Sequence, residues 1–458
     1  MTAAHLGLVA LDALFLAAGM GALHGLGLVR SGRDALRHLG LAIVVGWAAV
    51  GIATSTALVV GVPFGAWLVA LLAVAVALGG VALGRSVTGC RLRAVGERGL
   101  ASWVAVAGAA LVCIQMAALL RRSLGSGAPT EWDAWTFWLP KAKSIVDFGG
   151  LDTGVGGFTS FASPTYPPLV PTLEASAFAF MRDTTASALP LQHWIVATAF
   201  VGALASLLAT RVRPAILWPS LAMLVLLPTF GLLIGSSLGD EPLMLLLGLG
   251  GACLGLWLLE RNWRFAALGG LFLAAVALAK DEGLWVAVVL AGTALVASVV
   301  RAPRRVLVPA LVLLAPFAAL VPWKLWLHVN DVPRSGDYRL SDIFDPGLLA
   351  DRLDRLSYAL DKLPPYIFEP WRWLLAVPVM LAAALLAAPR RPDLAALALA
   401  PVTAVPVGLL LVYWIGTPPV DWYVATSAAR VVASAVVLAA VFVPLLLAEA
   451  ARGQPPPE

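Results

Sequence analysis

Charged residues are scarce in this chain: they make up 12% of its 458 residues, whereas hydrophobic residues make up 60% and the mean hydropathy is +0.90. A soluble domain typically has about 25% charged residues and could not bury this much apolar surface. The composition therefore argues against a soluble globular protein and predicts an integral membrane protein in a lipid bilayer. The net charge of +5 comes from the connections between apolar runs, so we expect no nucleic-acid partner.

Cysteine and histidine are also rare. The three cysteines, Cys90, Cys113 and Cys253, lie far apart, and the five histidines have no spacing that would suit a zinc site. The sequence has no phosphate-binding loop ending in lysine, no GxGxxG after a strand and no GxSxG. These absences argue against thiol or zinc chemistry, ATP hydrolysis, dinucleotide binding and serine hydrolysis. The sequence names no cofactor, and it leaves open whether a divalent cation takes part.

Long apolar runs, in contrast, are abundant. Because a helix needs about 20 apolar residues to cross a membrane, we predict an all-α polytopic membrane protein with about thirteen transmembrane helices. The first run has no convincing signal-peptide cleavage site, so we expect it to remain as a helix. The predicted spans are 5–29, 39–60, 64–84, 100–120, 190–210, 214–235, 242–259, 264–279, 284–300, 306–327, 371–388, 394–416 and 428–449.

Arginines lie in the connections that follow the odd-numbered spans. They are Arg30, Arg33, Arg37, Arg85, Arg91, Arg93, Arg98, Arg211, Arg213, Arg261, Arg264, Arg301, Arg304, Arg305, Arg390 and Arg391. Basic residues favour the cytoplasmic side, so we expect the N-terminus outside and the tail 451–458 inside. All five lysines then lie outside. The 26 arginines against five lysines and the abundance of alanine are typical of a high-GC bacterial genome. We therefore expect the bacterial inner membrane, with an active site on the outer, periplasmic face.

The first long outer segment, 121–189, begins with a cluster of acidic, aromatic and lysine residues, EWDAWTFWLPKAK. Ionisable groups beside a bilayer are costly to keep there, so this cluster predicts a functional site. Asp133 could accept a proton from a hydroxyl, the lysines could hold a phosphate, and the indoles could stack on a sugar. That combination suits sugar transfer from a lipid phosphate. The tryptophans also have a simpler interpretation as an interfacial aromatic belt, with Asp133 merely solvated.

Short surface helices are predicted in both long outer segments. After the cluster, an amphipathic helix should lie on the membrane with Ile145 and Phe148 turned to lipid. In the second segment, 328–370, acidic residues alternate with Arg352, Arg355 and other basic residues at spacings that favour salt bridges along a solvated helix. The chain then divides into N-terminal extra transmembrane helices (1–99), a core with the catalytic loop (100–327), an outer loop (328–370) and C-terminal transmembrane helices (371–458).

Six short elements follow one another along the chain. They are EWDAW with Asp133, KAK with Lys141 and Lys143, YPPL from Tyr166, GDEPL with Asp240, AKDEGL with Lys280 and Glu282, and DWYVATSAAR from Asp421 to Arg430. In this order they resemble the motifs of the GT-C superfamily of polyprenyl-phosphate-sugar-dependent glycosyltransferases, in particular its protein-mannosyltransferase-like and aminoarabinose-transferase-like branch. Tyr166 and Tyr423 stand where that pattern has histidine. Three spans precede the one that leads into the catalytic loop, where most members have one.

The resemblance implies a GT-C-like fold and inverting transfer of a sugar from a polyprenyl-phosphate donor to a glycan, lipid or protein acceptor of the cell envelope. Asp133 would be the general base. The candidates for binding the donor phosphate are Lys141, Lys143, Lys280 and Arg430. The candidates for binding substrate are Glu131, Trp132, Trp135, Tyr166, Asp240, Glu282, Asp421 and Tyr423. For Asp240, Glu282 and Asp421, four roles stay open: sugar binding, cation coordination, ion pairing and helix capping.

Two other functions remain alternatives. A transporter or flippase of a lipid-linked or small polar substrate would carry ionisable groups at mid-span and internal repeats, but the predicted spans are nearly free of charge apart from Asp12 and show no repeat. An oligosaccharide polymerase or ligase would use arginine and histidine in a large outer loop. Residues of that kind in 328–370 are His328, Arg334, Arg339, Arg352 and Arg355.

Overall fold

Helices make up the fold. The computed structural model describes residues 3–90, 95, 96, 99, 101–303, 306–333 and 336–452. No strand occurs among these residues, so the predicted all-α class is confirmed. Some residues used to predict orientation or function lie outside the described ranges: Arg91, Arg93, Arg98, Arg304, Arg305, Arg334 and the tail from 453 onward.

The first half of the described chain contains the N-terminal helices and the segment 121–189. Its helices are α1 (Ala3–Gly25), α2 (Gly32–Arg37), α3 (Leu39–Val59), α4 (Ala66–Gly84), α5 (Ala101–Gly125), a π-helical turn (Ala134–Trp138), α6 (Leu139–Phe148), a 3-10 turn (Phe158–Ser160), α7 (Leu169–Met181), α8 (Leu189–Leu208), α9 (Pro214–Leu226) and α10 (Pro228–Leu233). Proline explains one boundary, because Pro228 has no backbone N–H to continue α9.

The second half contains the remaining long helices and the second outer segment. Its helices are α11 (Asp240–Glu260), α12 (Trp263–Ala279), α13 (Asp281–Arg301), α14 (Leu307–Leu314), a 3-10 turn (Ala315–Ala319), α15 (Leu320–Val329), a 3-10 turn (Leu340–Phe344), α16 (Pro346–Asp351), α17 (Leu353–Phe368), α18 (Pro370–Trp373), α19 (Ala376–Ala387), α20 (Pro392–Ile415) and α21 (Val420–Ala450).

Ten stretches of helix in the described chain are long and apolar enough to cross a membrane, as a polytopic membrane protein requires. The other three predicted spans fall on the shorter apolar helices α9, α12 and α19. Thirteen spans therefore stays a prediction. Helices α11 and α21 form the centre of the bundle, since 94% of the most apolar window of each is buried by protein.

Small residues let the N-terminal helices pack closely. A Cβ on Gly19 of α1 would lie 1.7 Å from the carbonyl oxygen of Ala42, and one on Gly46 of α3 would lie 1.8 Å from that of Phe15. Only glycine permits this approach, which is typical of helix contacts in membranes. Helices α1 and α3 also pack against α7 and α8, so the N-terminal helices are part of the same bundle.

The first outer segment is folded against the bundle. Helix α6 forms where a surface helix was predicted, but the predicted orientation is wrong for Ile145, which is fully buried against α7 and its neighbours, whereas Phe148 is half exposed. Ile145 is therefore buried in protein rather than in lipid, and α6 continues directly from a π-helical turn. That turn follows directly after Asp133.

The second outer segment is also helical, but the predicted salt bridges along it are largely wrong. Within the described part of this segment, the predicted charge pattern gives one ion pair. In that pair, Lys362 Nζ lies 2.7 Å from Asp361 Oδ2. Arg352 instead donates to the carbonyls of Ile415 and Gly416, and Arg355 donates to that of Pro418 at 2.7 Å. A helix end has carbonyls without intrahelical partners, so these arginines anchor the segment to the end of α20.

Candidate active site

Asp133 and Arg430 form an ion pair that links the first outer segment to α21. Asp133 precedes the π-helical turn, and Arg430 lies in the third turn of α21, where its Nε also donates to the carbonyl of Thr426 at 3.0 Å. About a quarter of each side chain is exposed (25% and 26%). The predicted general base and one predicted phosphate ligand are therefore in direct contact and open to solvent on one side.

A second polar group surrounds Lys280, between α12 and α13. Its Nζ lies 2.9 Å from Asp240 Oδ1 at the first residue of α11 and 3.6 Å from Glu282 Oε1 in the first turn of α13. Tyr166 donates its hydroxyl hydrogen to the same Glu282 oxygen at 3.4 Å. Four predicted site residues from three separate elements thus meet through short polar contacts.

The two groups act on each other electrostatically. Burial alone would lower the pKa of Lys280, but the carboxylates of Asp240 and Glu282 outweigh it and raise that pKa, while the positive charge of Arg430 acts in the opposite direction. Lys280 is therefore a cation in the folded protein at neutral pH. Arg430 lies close enough to influence it, so the two cations belong to one charged region.

Tyr166 is packed among aromatic rings. Its ring stacks on Trp138 at 5.7 Å between centroids and meets the edge of Phe137 at 6.0 Å. Burial, and next the charge of Glu282, raises the pKa of Tyr166 well above its ordinary value, so its hydroxyl keeps its proton. A Cβ on Gly239 would lie 2.4 Å from Trp138 Cζ2. Glycine at this position thus lets the start of α11 pack against the ring.

The two lysines of KAK have different surroundings. Lys141 is fully buried, and its Nζ donates to the carbonyl of Ser163 at 2.5 Å and lies 5.0 Å from the ring centre of Phe158. Burial lowers the pKa of Lys141 to about 7, an effect that the charge of Asp281 partly opposes. Lys141 therefore holds the loop together in this structure and does not face solvent, whereas Lys143 is exposed.

The remaining predicted substrate residues lie around the rim. Glu131, Trp132 and Asp421 are exposed, and Trp132 has 79% of its surface accessible. Trp135 is half exposed and donates its indole N–H to the carbonyl of Pro129, whereas Tyr423 meets the edge of Tyr413 at 5.3 Å. Tyr423 is partly buried and close enough to Glu282 and Tyr166 to interact with them electrostatically. The contacts described do not bring Glu131, Trp132, Trp135 or Asp421 into the two polar groups.

Sequence reasoning missed several ionisable residues nearby. Asp281 pairs with Lys324 of α15 at 3.7 Å. Glu174 of α7, His193 of α8 and Glu241 of α11 form a separate buried group. Each of these acids adjoins an apolar run, which could have marked it as a candidate site residue. Its partners could not be identified in the same way, because they are far away in the sequence.

Metal ligands do not converge in the described part of the chain, where no group of three His, Cys, Asp or Glu side chains is arranged to hold an ion. In the Lys280 group, the carboxylate of Asp240 is paired with the ammonium of Lys280. Chemically, the two polar groups offer three carboxylates, two fixed cations and a protonated phenol. Such a set can bind an anion and move a proton.

Comparison of the chain with models of protein families, with curated proteins and with solved structures finds no match. The fold and its apolar helices define the class of protein, a polytopic α-helical membrane protein.

Proposed function

We propose that this protein is an inverting GT-C-type glycosyltransferase that uses a polyprenyl-phosphate-linked sugar at the outer face of the membrane. The observation that carries the proposal is the ion pair between Asp133 and Arg430 beside the buried cation Lys280. A base for the acceptor and cations for a phosphate leaving group are the two requirements of this reaction. Both are met here by residues from distant parts of the chain.

The donor phosphate would exchange for Asp133 as the partner of Arg430. Arg430 can bind phosphate oxygens through two N–H groups at once, which frees the carboxylate of Asp133 to accept the proton of an acceptor hydroxyl. The hydroxyl oxygen then attacks the anomeric carbon from the face opposite the phosphate. The bond from that carbon to the phosphate oxygen breaks, its electron pair stays on the phosphate, and the new glycosidic bond has inverted configuration.

Lys280 would stabilise the charge that gathers on the departing phosphate. Asp240 and Glu282 hold this ammonium in place before the donor arrives, and preorganised charges need little rearrangement during the reaction. The phenol of Tyr166, which keeps its proton, is available to donate to a sugar or phosphate oxygen. Glu282, with 31% of its side chain exposed, is the better placed of the two acids to contact sugar hydroxyls.

The exposed rim residues would meet the two substrates. Trp132 and Trp135 are suited to the headgroup level of a bilayer or to stacking on a sugar. Glu131, Asp421 and Lys143 would make polar contacts with the substrates. The acceptor would be a glycan, lipid or protein of the cell envelope. We place the protein in the bacterial inner membrane, with this face toward the periplasm.

Replacing Asp133 tests the proposal directly. Purified Asp133→Asn should transfer sugar from a polyprenyl-phosphate donor at least about 100-fold more slowly than the parent, since a positioned general base contributes about 10²–10⁴ in rate. Asp147→Asn changes another acid of the same outer segment, one that is exposed and outside the site, and should keep the parent rate. Equal rates for Asp133→Asn and the parent would refute the role of Asp133.

A transporter is the second candidate, and the buried group of Glu174, His193 and Glu241 is the observation that favours it. Buried ionisable residues inside a membrane bundle occur in proton-coupled transport. In proteoliposomes, a transporter would move its solute across the membrane without consuming a lipid-linked sugar. A glycosyltransferase would consume the donor and release the free polyprenyl phosphate.

A further inference from the structure

Three ionisable side chains meet inside the bundle, away from the site described above. Glu174 Oε1 of α7 lies 3.1 Å from His193 Nε2 of α8, and Glu241 Oε2 of α11 lies 3.0 Å from His193 Nδ1. The accessible fraction of these side chains is 5% for Glu174, 12% for His193 and 1% for Glu241. One imidazole thus bridges two carboxyl groups that water reaches poorly.

The number of protons in this group follows from its geometry. A neutral imidazole has one N–H and one bare nitrogen, and a carboxylate can only accept. Both ring nitrogens can bond to a carboxylate only if each carries a hydrogen, or if one of the acids is itself protonated. In either case the group holds one proton more than a neutral imidazole with two carboxylates. Without that proton, two acceptor atoms would face each other in a poorly hydrated interior.

The surroundings contain polar atoms that lack partners. Gln192, 7% exposed, donates to Asp12 Oδ1 of α1 at 2.7 Å. Gln192 Oε1, Asp12 Oδ2 and Glu241 Oε1 are buried without a hydrogen-bond partner. Gln192, Glu174 and His193 also line a cavity of about 30 Å³, which is room for one or two water molecules. The titratable groups facing His193 are therefore Glu174, Glu241 and, beyond Gln192, Asp12.

The same group holds a strained turn. Glu241 Oε2 accepts the backbone N–H of Gly235 at 3.0 Å, and Ser237 Oγ lies 3.2 Å from His193 Nε2. Ser237 has a φ of 53°, a left-handed conformation that is strained for an L-residue. This turn leads directly into Asp240, the partner of Lys280.

We propose that Glu174, His193 and Glu241 hold one proton more than a neutral imidazole with two carboxylates, and that this additional proton fixes the turn 234–239 that places Asp240. The proton joins side chains of three helices, α7, α8 and α11. Glu241 and Asp240 are adjacent in the first turn of α11 but face different groups, so loss of the proton on one side displaces the residue on the other. Only the consequence for Asp240 as a site residue rests on the proposed glycosyltransferase function.

Nitrogen NMR of the histidine rings tests the proton site without any activity measurement. The full chain, labelled with ¹⁵N-histidine in nanodiscs, should show at about pH 8 one ring with hydrogen on both nitrogens or in a strong hydrogen bond to a protonated acid, whereas an ordinary histidine with a pKa near 6.5 is neutral there. This signal should vanish in His193→Gln and persist in His328→Gln, which alters an exposed histidine. Five simple neutral rings in the parent would overturn the proposal.

Two amide variants test the shared proton if His193→Gln does not fold. In Glu174→Gln or Glu241→Gln, the new amide can donate to a bare ring nitrogen, so the ring of His193 should become a neutral tautomer at the same pH. Backbone hydrogen exchange of the turn 234–239 should then rise, while that of α17 stays unchanged. A ring still doubly protonated in both variants, or unchanged exchange of the turn, would contradict the proposal whatever the sugar-transfer activity.

Discussion

Asp240 and Lys280 illustrate what a buried charge requires in this protein. Their side chains are 2% and 8% exposed, and their charged atoms are 2.9 Å apart. Removing an ion from water costs several kcal/mol, which the partner must offset. Each charge can therefore stay buried only while the other is present. Their contact holds the start of α11 against the start of α13.

A double-mutant cycle on this pair gives a prediction at the residue scale. Lys280→Met should lower the free energy of unfolding by about 3–5 kcal/mol, because Asp240 stays buried without its partner. Adding Asp240→Asn should recover most of that loss. Thermal unfolding in detergent measures Lys280→Met, Asp240→Asn and the double variant. Lys362→Met removes the partner of Asp361 in an exposed ion pair and should leave stability unchanged. Additive losses in the cycle would show that the pair is not coupled.

Lys141 shows how burial changes the role of a residue. In the sequence it stands beside Lys143 as an equivalent candidate for phosphate binding, yet its ammonium is enclosed by Ser163, Phe137 and Phe158. Hydrogen bonding and the faces of aromatic rings compensate in part for the lost water. The phosphate-binding role in the proposal therefore falls to Arg430 and Lys280.

Among the helices, α21 combines the centre of the bundle with the candidate site. Its 31 residues span about 46 Å at a rise of 1.5 Å per residue, which exceeds the roughly 30 Å of a hydrocarbon core. The helix must therefore extend beyond the hydrocarbon core. Arg430 lies about 15 Å from its start by the same rise.

The contact between Gly239 and Trp138 gives a prediction at the scale of elements. Trp138 is 1% exposed and is stacked on Tyr166, so it cannot easily make room for a Cβ. Gly239→Ala should lower the free energy of unfolding by about 1–3 kcal/mol through overpacking. Gly292→Ala in α13 meets no atom within 4 Å and should be neutral or slightly stabilising. Equal unfolding temperatures for the two variants would contradict this packing.

At the scale of the whole molecule, the prediction concerns the two faces of the membrane. After replacement of the native cysteines, single cysteines at Val155 and Phe344, which are 100% and 83% exposed, should react with an impermeant thiol reagent from outside. A cysteine at Leu36, 72% exposed in α2, should react only after the membrane is permeabilised. Labelling of all three from the same side would overturn the predicted orientation.

The sequence by itself determined the class of the protein and much of its helical framework. Apolar composition leaves a membrane as the only stable environment, and runs of apolar residues mark helices because the pattern is local. The cluster at Asp133 was also visible, since ionisable residues stand out beside long apolar runs. Proline likewise had a local effect, although the break that Pro228 makes between α9 and α10 was not predicted.

Only the tertiary structure decided which residues act together. Asp133 and Arg430 are 297 positions apart, and Glu174, His193 and Glu241 come from three helices. Burial of Lys141 and Ile145 also depends on how the first outer segment packs against α7. Ion pairing and desolvation depend on distances of a few ångströms between helix ends, and no local pattern encodes those distances.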